Sequence, residues 1–205
     1  MLDQLIERVG SDRPIRSTDF GEIGSFLLAD GGISIGNGLL RIHSVDSAQA
    51  ADGFVREAFP DFHHRVRCFA FDWLGRQFSL DSASADGPRS ATILMFEAGT
   101  GEALEIPVRL NEFFQHEIVD YSDAALAETA FTAWQASGGA APAFTESIGY
   151  RTPLFLGGLD EISNLELTDT AEYWGIFGQL LVRAIGLPPG TRIDAVTIEK
   201  PPTNG

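Results

Sequence analysis

Apolar residues recur with a helical period at the start of the chain. Residues 1–9 place their leucine, isoleucine and valine side chains on one side, which predicts a short helix. A second helical segment is expected near residues 19–29. Asp46 is followed three positions later by Gln49, a spacing typical of a capping box, so a third helix is predicted over residues 47–59.

The middle of the chain changes to the patterns of β-strands. Residues 66–73 and 92–97 are largely apolar on both faces, as strands in the centre of a sheet are. Residues 76–81 and 103–108 alternate between apolar and polar positions, and a short strand is expected at residues 39–43. Turns that contain glycine connect neighbouring strands, and we therefore predict an antiparallel meander.

Helical patterns return after the sheet. Helices are expected at about residues 110–119 and 122–136. Residues 150–158 are then predicted to form a buried strand that ends in a double-glycine turn. Asp169 and Glu172 have the spacing of a second capping box, which predicts a long final helix.

Together these patterns indicate an α+β fold, in which an antiparallel sheet meander is flanked by N- and C-terminal helices. Hydrophobic residues make up 44% of the 205 residues and charged residues 21%, a composition typical of globular proteins that excludes wholesale disorder. Because no repeat or long linker divides the chain, residues 1–205 are predicted to form a single domain.

The chain is strongly acidic. It carries 29 acidic and 14 basic side chains, and its formal net charge is −15. Nucleic acids and anionic membranes bind clusters of lysine and arginine, and a surface this negative repels them. We therefore expect no direct contact with nucleic acid.

The acidic residues are concentrated in one part of the chain. Residues 97–146 contain nine acidic side chains and a single basic one, Arg109. The densest group lies at a junction between two predicted helices and consists of Glu112, Glu117, Asp120 and Asp123. These residues form either a solvated face that keeps the protein soluble or a docking surface for a basic protein partner.

Cysteine content and hydropathy indicate a cytoplasmic protein. Cys68 is the only cysteine, so no intramolecular disulfide is possible, and its aromatic neighbours favour an inert buried thiol. The N-terminal residues lack the apolar run of a secretory signal. The longest uncharged stretch, residues 129–145, contains polar residues, glycine and proline, so no membrane span is expected.

Two motifs bear on catalysis and metal binding. Gly32, Ser34 and Gly36 match the Gly-x-Ser-x-Gly pattern of a hydrolase nucleophile elbow, but a turn and a short strand follow where the elbow requires a helix. A glycine loop is therefore the favoured interpretation. The adjacent His63 and His64 lack the spacing of zinc ligands, so a solvated loop is expected there, with no metal and no cofactor.

The final helix, expected to end at Gly186, is apolar over most of its surface. Its polar residues fall on one narrow stripe, which is formed by Glu172, Gln179 and Arg183. A helix of this kind packs inside a domain or against a partner, and the core position is favoured. The three polar residues are those that we expect to be exposed for partner binding.

The C-terminal part of the chain contains unusual combinations of glycine, tryptophan and glutamine. It reads Tyr150-x-x-Pro153-Leu-Phe-Leu-Gly157-Gly158, then Asn164, then Tyr173-Trp174-Gly175-x-x-Gly178-Gln179, and then Gly186-Leu-Pro-Pro-Gly190-Thr191. This segment resembles the C-terminal domain of bacterial type VI secretion immunity proteins, which neutralise secreted DNase toxins. The residues taken as its structural motif are Pro153, Gly157, Gly158, Asn164, Trp174 and Gly178.

The N-terminal part carries a weaker resemblance. Asp30-Gly-Gly-Ile-Ser-Ile-Gly-Asn-Gly-Leu-Leu-Arg-Ile-His and the sheet after it look like the GAD-like domain that often precedes the immunity segment. This implies a GAD-like part over residues 1–137 and an immunity-type segment over residues 145–198, in a layout similar to the SUKH group. The resemblance also implies a protein without enzymatic activity or catalytic residues, whose partner is a cognate toxin.

Charge and resemblance together favour a non-enzymatic inhibitor that covers the basic surface of a nuclease as an acidic mimic of DNA. One alternative is a small-ligand or scaffold-binding module with a pocket between sheet and helices near Trp73 and Trp174. Another is a serine hydrolase that uses Ser34. That enzyme requires a histidine within hydrogen-bond reach of the hydroxyl and a helix directly after the serine.

Overall fold

The computed structural model of the chain describes residues 2–16, 22–83, 91–185 and 187. It confirms the α+β class and the antiparallel meander flanked by N- and C-terminal helices. The strands are Ser34–Ile35 (β1), Leu40–Ile42 (β2), Val66–Asp72 (β3), Gln77–Asp81 (β4), Ile93–Glu97 (β5), Glu102–Ile106 (β6), Glu146–Tyr150 (β7) and Leu165–Asp169 (β8). Strands β1 to β6 form one antiparallel sheet in chain order, and β7 pairs with β8 in a second sheet.

Helices precede and follow the meander along the chain, and one helix is inserted between β2 and β3. They are Leu2–Val9 (α1), Ile23–Asp30 (α2), Val45–Ala58 (α3), Leu110–Glu112 (α4), Ile118–Asp120 (α5), Ser122–Leu126 (α6), Glu128–Ala136 (α7) and Thr170–Ala184 (α8). A π-helical turn, Phe113–Glu117, joins α4 to α5, and Ala127 (φ 51°) separates α6 from α7 in a left-handed conformation. None of the described helices is both long and apolar enough to cross a membrane.

The start of α3 differs from its prediction. The capping box is formed by Ser44 and Ser47, not by Asp46 and Gln49. Ser44 Oγ accepts the Ser47 N–H at 3.1 Å, and Ser47 Oγ accepts the Ser44 N–H at 2.9 Å. Because the serine pair satisfies these two backbone donors, the helix begins two residues earlier, and Asp46 lies in its first turn, where the helix dipole favours a negative charge.

The glycine-rich segment is partly a strand. Ser34 and Ile35 pair with β2, and the chain then turns through positive φ angles at Gly36, Asn37 and Gly38. Ile35 is fully buried, so its burial in the core accounts for the added strand pairing. Of the predicted second helix, residues 22–29 are described and residues 19–21 lie outside the described residues; α2 begins at Ile23.

The strand predicted at residues 150–158 is wrong. Strand β7 ends where that prediction begins, at Tyr150, and residues Leu154–Leu156 form a 3-10 turn. Pro153 has no N–H to donate to a ladder, which ends strand pairing there. Gly157 then reverses the chain with a φ of 91°.

The C-terminal segment packs against the end of the meander that carries the β3–β4 and β5–β6 turns, through hydrogen bonds to main-chain carbonyls. The Ile148 N–H donates to the Trp73 carbonyl at 2.7 Å, and the Leu154 N–H donates to the Gly99 carbonyl at 2.8 Å. The indole of Trp174 on α8 donates to the Gly75 carbonyl at 2.8 Å. Buried apolar side chains from α1 through α8 form one continuous cluster, so this segment and the meander share a core.

Candidate functional site

Two of the four clustered acidic residues serve as local caps. Glu112 accepts the Arg109 N–H at 2.8 Å at the start of α4. Asp123 accepts the Thr129 N–H at 2.8 Å, and this hydrogen bond lowers the pKa of the carboxyl. Both side chains are exposed, but their charges also stabilise the helical segment.

The other two acidic residues of this group lie on the turns between these caps. Asp120 at the end of α5 is exposed, with its carboxylate 3.4 Å from His116 Nδ1, and Glu117 is partly exposed at the end of the π-helical turn. Tyr121 follows directly and is 62% exposed, a large value for an aromatic side chain. An exposed tyrosine is a residue type enriched in protein interfaces, and the acidic side chains around it attract a basic partner.

Several other acids in residues 97–146 are engaged within the fold. Glu128 accepts hydrogen bonds from Arg8 at 2.9 Å and Ser122 at 2.5 Å, and the bond from Arg8 lowers the pKa of its carboxyl. Glu146 accepts the Ala143 N–H at 2.9 Å. The charge that a partner meets in this region is therefore smaller than the sequence count suggests.

A buried ionic group lies where the meander meets the C-terminal segment. Arg76 Nε donates to Asp72 Oδ2 at 2.6 Å, and both residues are buried. Burial raises the pKa of the neighbouring Glu97 carboxyl to about 7, an effect that the charge of Arg76 opposes and the charge of Asp72 reinforces. The structure therefore bears a carboxyl group that titrates near neutral pH.

We expect Glu97→Gln to stabilise the protein at pH 8 but not at pH 5. The folded protein holds the Glu97 proton up to a pKa of about 7, against an ordinary value of 4.5, so it binds more protons than the unfolded chain between these values. The free energy of unfolding thus falls as pH rises through this window, by about 3 kcal/mol from this carboxyl. Urea denaturation at both pH values measures the difference between wild type and variant.

Glu105→Gln is the control for that experiment, because Glu105 is an exposed residue of β6 outside the group of charges around Glu97. It is expected to leave the pH dependence almost unchanged. His43 acts in the opposite direction, since burial lowers its pKa to about 4, and it cancels in the comparison with wild type. A Glu97→Gln variant with the same pH slope as wild type would contradict the assignment to Glu97.

The polar stripe of α8 is divided in space. Glu172 is exposed in the first turn of the helix. Gln179 and Arg183 instead line an open groove of about 270 Å³ between α8 and the end of α3, together with Glu57 and Val182. The groove brings together two of the three predicted stripe residues and separates them from Glu172.

The motif residues of the loop between β7 and β8 hold backbone geometry. A Cβ on Gly158 would lie 2.0 Å from the Thr152 carbonyl oxygen, so no other residue fits without a shift of the chain. Asn164 accepts the Thr152 N–H at 3.0 Å and donates to the carbonyls of Thr152 and Leu159, both at 2.9 Å. Pro153 is buried. These residues hold the backbone of the loop in place, whereas the side chains that the loop exposes belong to other residues.

The motif residues of α8 serve packing. Trp174 is 1% exposed and its indole N–H is satisfied by Gly75. Gly178 faces Ala58 on α3, where a Cβ would lie 3.1 Å from the Ala58 Cβ, so the missing side chain allows the two helices to approach closely. The contact between α3 and α8 therefore depends on small residues.

A cavity of about 180 Å³ lies between α3, the meander and the start of α8. One wall is a single face of α3, formed by Ser47, Ala50, Ala51 and Phe54. The other lining residues are His43 in the loop before α3, Phe71 on β3, Gln77 on β4, Phe144 and Thr145 before β7, and Asp169, Thr170 and Ala171 where β8 meets α8. No sequence pattern described above predicts this site, although small residues at helical spacing on α3 are a signal for it.

The pocket predicted beside Trp73 is not where the cavity lies. Trp73 is fully buried, its indole donates to the Leu126 carbonyl at 2.8 Å, and its ring packs on Phe131 at 5.2 Å between centroids. Trp174 lines the groove on α8. Of the two tryptophans beside which a pocket was predicted, only Trp174 lies at one, and that pocket is an open groove.

His43 forms a hydrogen-bonded chain at the floor of the cavity. Its Nδ1 lies 3.0 Å from Ser47 Oγ and its Nε2 lies 2.8 Å from Gln77 Oε1. Because the Gln77 oxygen only accepts, Nε2 carries the proton and Nδ1 accepts from the serine. Burial lowers the pKa of His43 to about 4, which makes the ring a weak base, and Ser47 Oγ is shared with the cap of α3. The hydrogen bonds of His43, Ser47 and Gln77 therefore have the contacts of a structural network.

The geometry at Ser34 is not that of a nucleophile elbow. The residue lies on β1, and a turn and strand β2 follow it, so the next helix begins only at Val45. The Ser34 N–H donates to Asp12 Oδ1 at 3.1 Å, as part of a turn that joins the N-terminal segment to the sheet. The helix required by the hydrolase alternative is absent at this place.

The histidine pair and the cysteine are placed as the sequence indicates. His63 and His64 are exposed in a turn, with their Nδ1 atoms 3.4 Å apart, and within the described residues no group of three or more histidine, cysteine or acidic side chains is arranged to hold a metal ion. Cys68 is buried, and burial raises the pKa of its thiol well above the ordinary value. The thiol is therefore protonated at neutral pH.

Comparison with known proteins adds no family. No protein-family model matches the chain, and no curated protein is significantly similar to it. The resemblance to immunity proteins and the SUKH-like layout therefore stay predictions, and the functional argument rests on residues and geometry.

Proposed function

We propose that this chain is a non-enzymatic immunity protein, which acts in the cytoplasm by binding and neutralising a cognate secreted toxin of the DNase type. Two independent features support the proposal. The C-terminal segment resembles immunity proteins of type VI secretion, and the net charge of −15 suits a partner that carries a basic, phosphate-binding surface.

The observation that carries the proposal is the exposed surface after the meander, which we call the acidic surface and define as Glu112, Glu117, Asp120, Tyr121 and Asp123. Its helical turns are short and closely connected, and caps at Glu112 and Asp123 hold them in place. A surface organised before binding loses little entropy when a partner docks. Tyr121 supplies apolar contact area in the middle of the charged residues.

The acidic surface would act as a substitute for DNA phosphates. A nuclease binds its substrate through lysine and arginine side chains, and carboxylates attract the same groups. Opposite charges accelerate association and select the basic partner, whereas buried apolar contacts supply most of the lasting affinity. Gln179 and Arg183 in the groove on α8 form a second candidate contact region, and Glu172 lies apart from them in the first turn of the helix.

We expect the double variant Glu117→Lys/Asp120→Lys to associate about tenfold more slowly with the cognate toxin, at low ionic strength. These two residues are chosen because Glu112 and Asp123 also cap helices, and their reversal would disturb the fold. The salt dependence of the association rate should become shallower. Stopped-flow or surface-based kinetics over a salt series measure both quantities.

Glu102→Lys/Glu105→Lys is the matched control, since it changes the net charge equally at exposed positions of β6 outside the acidic surface and away from helix ends. It should reduce the rate much less. Equal effects of the two double variants would reject a defined acidic surface. The immunity function is tested separately, by assaying DNA cleavage by the toxin with and without this protein; persistent cleavage at saturating protein would reject it.

A further inference from the structure

The groove between α8 and the end of α3 combines an apolar lining with charges of both signs. Its apolar lining is one stripe of α8, formed by Trp174, Gly175, Gly178 and Val182. Because two of these four residues are glycines, the helix surface between Trp174 and Val182 is low. Val182 is 42% exposed, and Glu57 and Arg183 each place a charge at the groove. The groove therefore suits an apolar stretch of chain that has charged residues beside it.

The chain reverses direction where α8 ends. The helix ends at Ala184, directly after the groove residues Val182 and Arg183. The Leu187 N–H donates to the Ala184 carbonyl at 3.1 Å, which is the hydrogen bond that closes a four-residue turn. Residues 188–205 follow this turn. The remaining chain therefore starts at one end of the groove, on a course that a turn has directed back along α8.

This remaining chain contains one apolar run, residues 193–198, which reads Ile-Asp-Ala-Val-Thr-Ile. Four of its six residues are apolar, whereas prolines, glycines, polar residues and charged residues surround it. Apolar side chains gain about 25 cal/mol of stabilisation for each Å² that is removed from water. Isoleucine, valine and threonine also favour an extended backbone. The run thus has the composition of a strand that requires a surface to cover it.

The run and the groove agree in length and in charge. Between Trp174 and Arg183, α8 is about 14 Å long. Six residues of extended chain span about 20 Å, so the run can follow the whole groove. Arg192 and Asp194 carry charges opposite to those of Glu57 and Arg183. Residues 188–192 provide the connection between the turn and the run, and this connection contains Pro-Pro-Gly, which cannot continue a helix.

From these observations we propose that the groove on α8 binds residues 193–198 of the same chain as an intramolecular ligand. The apolar side chains of the run cover Trp174 and Val182, and the charged residues beside it face Glu57 and Arg183. The site is distinct from the acidic surface, and the proposal does not depend on the immunity function, because its test requires no toxin. A partner that binds over Arg183 has to displace the run first.

The test measures tryptic cleavage of the full chain after Arg192, the residue directly before the run. Mass spectrometry at early times gives the rate at which the fragment of residues 1–192 appears. A free peptide of residues 188–205 is the unprotected reference. Because a protease cleaves a docked segment only while it is released, the full chain should be cleaved at this bond about tenfold more slowly than the peptide.

Substitutions on both sides of the contact test its position. Val182→Asp places a charge in the groove and should raise the cleavage rate about tenfold, to that of the peptide. Val45→Asp is the matched control, since Val45 is similarly exposed at the opposite end of α3, and it should leave the rate unchanged. Because an acidic residue in the last turn of a helix can weaken that helix, Val196→Asp in the run is the second variant. It should raise the rate equally, relative to a peptide with the same substitution.

Three results would overturn the proposal. The first is cleavage of the wild-type chain as fast as the free peptide, which shows that the run is not docked. The second is an unchanged rate in Val182→Asp together with a raised rate in Leu104→Asp, which places the run on the exposed edge strand β6. The third is protection that disappears on dilution, which shows that the run binds to a second copy of the chain.

Discussion

Arg41→Ala is expected to lower the free energy of unfolding by about 3–5 kcal/mol, because it leaves a cavity and main-chain carbonyls that have lost their donor. The Arg41 guanidinium is fully buried and donates to the main-chain carbonyls of Asp72, Ala143 and Glu146. It also lies over the ring of Phe71. One side chain thus joins β3 to the chain that leads into β7.

Urea denaturation followed by circular dichroism measures this loss. Arg67→Ala is the matched control, since Arg67 lies on β3 with an exposed side chain and should cost less than about 1 kcal/mol. Arg41→Lys should recover only part of the stability, because an ammonium group lacks the planar fork that reaches several carbonyls. If Arg41→Ala cost no more than Arg67→Ala, the structural role of Arg41 would be wrong.

Trp174→Ala is expected to cost about 3–5 kcal/mol, the range for removing a large buried aromatic side chain. The indole packs between the meander and α8, near Phe59 at 6.3 Å between centroids, and it satisfies the Gly75 carbonyl. Its removal leaves a cavity in the contact between the C-terminal segment and the sheet, and the Gly75 carbonyl keeps only the 3.3 Å hydrogen bond from the Gln77 amide.

Two further variants separate these contributions. Trp174→Phe keeps most of the volume and removes the hydrogen bond, and should cost about 1–2 kcal/mol. Trp134→Ala is the control on α7, where the indole is half-buried and donates to the nearby Ala140 carbonyl, and it should cost less than Trp174→Ala. Thermal and urea unfolding of all three variants provide the comparison; an equal loss for both alanine variants would contradict the central role of Trp174.

The sequence patterns located the strands of the meander to within a few residues. Continuous apolar runs at β3 and β5 are direct consequences of the burial of both faces of these strands, so the residues themselves carry the information. The alternation at β6 does not match burial in the same way, since Leu104 is 47% exposed. The error at residues 150–158 has a local cause. An apolar run around Pro153 satisfied the hydrophobic criterion for a strand, but the missing N–H and the left-handed turn at Gly157 prevent ladder formation.

The candidate site was harder to predict than the fold. The cluster of acidic residues was visible in the sequence, yet Glu112 and Asp123 also cap helices, and Glu128 pairs with Arg8 from the opposite end of the chain. Such pairings depend on where helices end and which segments meet. The cavity beside His43 depends on four separate segments, so no spacing within any one of them defines it.

Local patterning by itself determined the α+β class, the order of strands β2 to β6, the acidity and the absence of a disulfide, because each follows from the period of apolar residues or from composition. Only the tertiary structure decided which charges stay exposed, that Arg41 and Trp174 join the C-terminal segment to the sheet, and that a cavity opens between α3 and α8. The physical reason is that burial, pKa and cavity shape arise from atoms that approach one another across large sequence separations. The charge of −15 was a property of the chain, whereas its distribution between caps, ion pairs and open surface was a property of the fold.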